Sequence, residues 1–150
     1  MNKKKMCVLV LVIAAVLLLA AFLGRGNTLY DDPESMAEGA LTCIYGWKDM
    51  DMLMSLTPYR EGSEIYDIAY RYFQTMMRDS GWVDSYRNMG DVDLNKADKA
   101  YFEEMKNELE DYGITGIKTI KRFIYQYDSN SEISVYVAKI GGNWYTVAAE

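Results

Sequence analysis

Residues 117–148 read IKTIKRFIYQYDSNSEISVYVAKIGGNWYTVA, and this run decides the fold. Before Gly116 apolar residues recur at helical spacing; from Ile117 the period becomes two. Ile117–Tyr127 reads as a long strand with Phe123, Tyr125 and Tyr127 on one face. Asp128-Ser129-Asn130-Ser131 has turn chemistry. Ile133–Ile140 is the next strand, with Ile133, Val135 and Val137 on one face, and Gly141-Gly142 makes a tight hairpin into Trp144–Ala148. Three sequential strands with short connections form a three-stranded antiparallel meander.

Working toward the N-terminus, the periodic segments are helical. Asp32-Pro33-Glu34 starts the first helix, with Asp as N-cap, Pro at the first helical position and acid in the first turn. Met36, Ala40, Cys43, Trp47, Met50 and Met54 then form one seam, which ends before Thr57-Pro58. A second helix begins near Ser63. Ile65, Ile68, Ala69, Tyr72 and Met76 make one face, and Tyr66, Tyr70, Phe73 and Met77 an adjoining one, so this helix is expected to contact two surfaces. Trp82–Asp93 is ambiguous, with room for a short strand around Val83–Tyr86. The third helix takes Asn95 as N-cap with Asp98 three residues on, buries Tyr101, Met105, Leu109 and Tyr112, and stops at Gly113 with Ile114 closing on Leu109. Helices followed by a meander predict an α+β domain with three helices packed on one face of an antiparallel sheet.

Residues 1–26 are a different material. Met6–Gly24 carries no charge over 19 residues, which as a helix reach about 28 Å, close to the roughly 30 Å hydrocarbon thickness of a bilayer. Lys3, Lys4 and Lys5 precede the run and only Arg25 follows, which predicts a cytoplasmic N-terminus and an extracytoplasmic domain over 27–150. The run is longer than an ordinary signal-peptide core, and its best cleavage site, Gly24-Arg25-Gly26, has an Arg between the small residues. A retained single-pass membrane anchor is therefore expected ahead of the alternative, secretion after signal cleavage.

The composition closes off several chemistries. The chain of 150 residues holds 16 basic and 22 acidic residues and no His. Without His there is no Ser-His-Asp or Cys-His pair and no imidazole metal ligand. Residues 27–150 keep 12 basic and 22 acidic residues, a net charge of −10, which repels nucleic acid and anionic lipid headgroups. Of the two cysteines only Cys43 lies in this domain, so an intrachain disulfide is ruled out there.

The closing run Lys139-Ile140-Gly141-Gly142-Asn143-Trp144-Tyr145-Thr146-Val147, after amphipathic helices, resembles the ending of small extracytoplasmic bacterial members of the nuclear-transport-factor-2-like superfamily (ketosteroid-isomerase-like, cystatin-like cone). The resemblance spans roughly Asp31 to Glu150. It implies a curved sheet wrapped around a long helix, with a cavity between them. Enzymes of that superfamily typically use Asp, His and Tyr in the cavity. With no His, and no Asp placed by a motif, the enzymatic role does not carry over.

Thirteen Tyr and three Trp are the unusual feature. Tyr66, Tyr70, Phe73, Tyr125, Tyr127 and Trp144 are the candidate lining of such a cavity, offering rings to a sugar or apolar ligand, set against ordinary helix–sheet packing. Asp91-Val92-Asp93-Leu94-Asn95 begins like a calcium loop, but Lys96 stands where Gly is needed and Phe102 where the bidentate Glu belongs, so helix capping is the expected role. Cys43 is expected buried and inert. Glu103, Glu104, Glu108 and Asp111 read as the wet face of the third helix, with no spacing that singles out a catalytic pair. The expectation is a non-catalytic binding or protein-interaction domain without cofactor or metal, whose partners are the membrane through residues 6–24 and an apolar or sugar ligand or an envelope protein, with no nucleic acid. The alternative is a small His-free isomerase or hydrolase using Tyr and carboxylates.

Overall fold

The computed structural model describes residues 31–150 except Asp84, Asp128 and Ser129. The expected anchor at 6–24 lies outside the described residues, and among those described no helix is long and apolar enough to cross a membrane. The chain is α+β. It runs through helices α1 (Pro33–Leu41), a π-helical segment (Thr42–Trp47), α2 (Met50–Ser55), α3 (Glu64–Asp79), strand β1 (Arg87–Asp93), α4 (Leu94–Ala97), α5 (Lys99–Asp111), and strands β2 (Ile117–Gln126), β3 (Glu132–Ile140) and β4 (Asn143–Ala149).

The four strands pair antiparallel in sequence order, so the expected meander is present with one strand added in front. Phe123 pairs with Val135 and Tyr125 with Ile133, which puts the expected apolar residues of both strands on one face. Each strand pair has one irregularity that inserts an extra residue, between Asn88 and Asp91, between Ile117 and Thr119, and opposite Tyr136–Val137. Such bulges bend the strand that carries them and increase its twist.

The helices do not share one face, which corrects the expected layering. β3 is buried at every position from Ile133 to Ala138, and alternate residues of a strand point to opposite faces. On one side, Tyr136 meets the Tyr101 ring of α5 edge-on at 6.1 Å. On the other, α1 lies against β3 and β4, and the charges of Glu34 and Glu38 reach Tyr125. A central strand of an antiparallel sheet that is covered twice needs apolar residues on both faces, and SVYVA supplies them.

Several local signals act as read. The Asp32 carboxylate accepts from the Ser35 N–H at 2.9 Å, and the Ser63 hydroxyl from Tyr66 N–H at 3.3 Å. Gly113, at φ 82°, donates to the Glu110 carbonyl, and Ile114 to that of Leu109, the pair of bonds that defines the Schellman stop. Two readings fail. Asn95 is not an N-cap: Asp93 stands at the start of α4, and Asp98 caps α5 by accepting from Tyr101 N–H. The first helix does not continue to Thr57. It widens into the π segment, ends at Lys48 with φ 54°, and restarts after Asp49, which accepts from Met52 N–H.

Lys48 explains that break. Its ammonium donates to the Met77 and Ser80 carbonyls and to the Ser80 hydroxyl at 2.7–3.1 Å, at the C-terminal end of α3. A cation is favourable where helix carbonyls lack partners. The turn therefore follows a contact made about 30 residues away, and it swings Trp47 off the expected seam to an exposure of 67%.

Candidate binding cleft

The second helix of the sequence reading, α3, is expected to contact two surfaces, and the structure leaves part of its apolar arc uncovered. Ala69 and Phe73 are covered, while Ile68 and Tyr72 remain 45% and 49% exposed. Their row opens into a cleft of about 220 Å³ between α3, α5 and β4. Tyr59, Ile65, Ile68, Ala69, Tyr72 and Phe73 form one wall, Met105, Glu108, Leu109 and Tyr112 the other, and Val147 and Ala148 the base. The small side chain of Ala69 is what leaves depth between its larger neighbours. Pockets for drug-sized ligands run roughly 300–1,000 Å³, so this one suits one or two apolar side chains or a small apolar group.

Of the three tyrosines that line the cleft, Tyr59 and Tyr72 have their hydroxyls engaged on backbone. Tyr59 donates to the Val147 carbonyl at 2.5 Å and Tyr72 to the Ala149 carbonyl at 2.6 Å. Burial, and behind it the charge of Glu108, pushes the Tyr59 hydroxyl well above the usual phenol range. Burial and Glu150 raise that of Tyr72 in the same direction. Both are neutral donors fixed on backbone oxygen, an arrangement that holds a wall in place and leaves no spare proton for acid–base work.

The six residues expected to share a cavity are distributed over five places. Phe73 lines the cleft. Tyr66 and Tyr70 stack on each other at 6.1 Å along the neighbouring stripe of α3. Tyr125 is buried with its ring edge-on to Tyr86 at 5.3 Å, and Tyr127 is 38% exposed with its ring 6.4 Å from that of Tyr45. Trp144 lies under the Lys139 ammonium, 5.5 Å from ring centre to nitrogen. They part because α3 stands beside the outer edge of β4, where its Tyr72 reaches the Ala149 carbonyl, whereas Tyr125 faces α1. Sequence reading missed Tyr59, Ile65, Ile68, Met105, Leu109 and Tyr112 as a site. The available signal was the over-wide apolar arc of the second helix, larger than its neighbours could cover.

The remaining chemistry-bearing groups fall as follows. Cys43 is buried, and burial first, then Asp49, pushes its thiol up to about 11, so it is protonated and inert at neutral pH. The Tyr125 hydroxyl has no hydrogen-bond partner among the described residues, and burial followed by Glu38 raises its pKa. Glu38 is itself raised, by burial and then by Glu34 and Asp32. The cleft lining includes neither of these two residues. Asp91 pairs with Lys121 at 2.8 Å and Asp93 accepts from the Thr119 hydroxyl, and among the described residues no three Cys, Asp or Glu side chains gather as metal ligands.

Comparisons of the chain with protein families, curated proteins and solved structures find no match.

Proposed function

We propose that the chain is a membrane-anchored, extracytoplasmic binding domain without catalytic activity, and that the α3–α5–β4 cleft is its working surface. The observation that carries this reading is the apolar cleft flanked by exposed Ile68, Tyr72 and Tyr112, large side chains left wet beside a concavity that would take their like. The Tyr59 and Tyr72 hydroxyls, committed to the β4 carbonyls, support binding over chemistry at these two residues. The meander with a bulge in each strand pair supports the curved-sheet, cone-like resemblance, although the candidate cleft lies at the sheet's edge and not under its middle. The anchor rests on the uncharged run Met6–Gly24 with Lys on its N-terminal side.

Two measurements test the reading. The full chain in phosphatidylcholine nanodiscs, with Ile and Met methyl groups labelled, is titrated with a short uncharged Leu- and Phe-containing peptide. Shifts should concentrate at Ile65, Ile68 and Met105 and vanish in Ile68→Ser. Shifts scattered over the domain, or none, refute the cleft. For the anchor, the chain should fractionate with membranes at its full mass; a soluble product beginning near Asn27 refutes it.

A further inference from the structure

We infer that the occupant of the cleft is a positively charged polypeptide segment that inserts an apolar side chain, held at the lip by an acidic row on α5. This rests on the binding reading above and specifies its partner. Glu104, Glu108 and Asp111 follow each other at steps of four and three, so they share one stripe of the helix. That stripe borders the apolar stripe of Met105, Leu109 and Tyr112, which faces the cleft, and Glu108 itself lines the cleft.

The acids of α5 are not equivalent. Glu103 and Glu110 lie 3.9 and 3.5 Å from the Lys106 ammonium. Glu104, Glu108 and Asp111 have no Lys or Arg within ion-pair distance among the described residues, and all three are exposed. An apolar cleft bordered by unpaired carboxylates selects an amphipathic, cationic guest. Apolar contact supplies the grip, and charge supplies discrimination and rapid encounter. Like charge argues against the other polymers at hand. Nucleic acid and anionic lipid are repelled by the net −10 of residues 27–150, and a second copy of the chain would set acidic row against acidic row.

The test uses three fluorescent peptides sharing one apolar pattern of Leu and Phe, with every other position Lys, Gln or Glu. Each is titrated by anisotropy against the full chain in phosphatidylcholine nanodiscs, with empty nanodiscs subtracted. The Lys peptide should bind about tenfold more tightly than the Gln peptide, the Glu peptide weakest, and the advantage of Lys should shrink in high salt. The triple variant Glu104→Gln, Glu108→Gln, Asp111→Asn changes only exposed groups. It should bring the Lys peptide to the level of the Gln peptide. The double variant Glu104→Gln, Asp111→Asn, both outside the cleft lining, should weaken the Lys peptide and leave the Gln peptide unchanged. Equal binding of Lys and Gln peptides, both lost in Ile68→Ser, overturns the cationic partner while the cleft stands. Binding indifferent to Ile68→Ser, or no binding by any of the three, overturns the cleft as well.

Discussion

The two edges of the sheet are handled in opposite ways. At β4, Thr146 N–H donates to the Leu56 carbonyl at 2.9 Å, and the Val147 and Ala149 carbonyls accept from the Tyr59 and Tyr72 hydroxyls. The unpaired backbone of an edge strand, normally a template for another chain, is satisfied by the chain's own side chains and loop. At β1, mostly exposed and split by a bulge in which Gly90 takes φ 112°, the edge is blunted instead. The Asn88 side chain accepts from Gly90 N–H and donates to Glu34, and Arg87, Asp91 and Asp93 add charge. The closed edge carries the candidate site. Tyr59 and Tyr72 seal β4 and also line the cleft, so the same two rings hold the fold and shape the surface.

The largest effect should come from breaking the closed edge. Tyr59 is 7% exposed, packs between the cleft and β4, and its hydroxyl answers a buried carbonyl. Tyr59→Ala should cost about 3–5 kcal/mol in urea unfolding, through lost packing and the cavity left behind. Tyr59→Phe, which keeps the ring and orphans the Val147 carbonyl, should cost about 1–3 kcal/mol. Equal stability of Tyr59→Phe and the unmodified chain would mean that the edge is not held by this bond.

The blunted edge should respond less. Gly90 has open space around its α-carbon, so an added methyl meets no neighbour, and the penalty of Gly90→Ala is that of the backbone alone. At φ 112° an L side chain is strained, and such conformations cost of order 1–3 kcal/mol. The expected relief is loss of the bulge, which straightens β1. Light scattering on concentrated Gly90→Ala should rise before unfolding begins, as an unblunted edge starts to pair between molecules. An unchanged urea midpoint and unchanged scattering would assign the blunting to the charges instead.

What the sequence made legible follows the same division between local and distant causes. Asp32, Ser63 and the Gly113–Ile114 stop act within a few residues of themselves, and each does in the structure what its spacing predicts. The meander was legible because its period, turn residues and register are all carried on 34 consecutive residues, 117–150. β1 was not: RNMGDVD lacks alternation because neither of its faces is well buried and its bulge shifts the phase. Trp47 was misplaced because a contact between Lys48 and the end of α3 decides where the first helix stops. The cleft was harder still. Its walls come from residues 59–73, 105–112 and 147–148, each unremarkable in its own segment, and only their relative placement leaves a gap.

A gentler probe of the closed edge is alkali. Burial raises the pKa of the Tyr59 hydroxyl above its unfolded value near 10, with Glu108 adding to the shift. Tyr136 is raised in the same direction by burial and by its bond to Glu150, and Tyr125 by burial and Glu38. A raised phenol keeps its proton in the folded chain when the unfolded chain has lost it. Its contribution is therefore complete below about pH 10 and falls as pH climbs above that value, by at most about 1.4 kcal/mol per pH unit for each such group. Urea midpoints should begin to decline above about pH 8.5, where the buried Cys43 thiol, pushed up to about 11, keeps a proton that the unfolded chain loses. They should decline more steeply above about pH 10 as the tyrosines add their share. Tyr59→Phe removes one of these protons, so its decline should be shallower by about one group's share even though its neutral-pH stability is lower. A decline of unchanged steepness would show that Tyr59 ionises as easily in the folded chain as in the unfolded one, and the bond that closes β4 would then have to be weaker than its geometry implies.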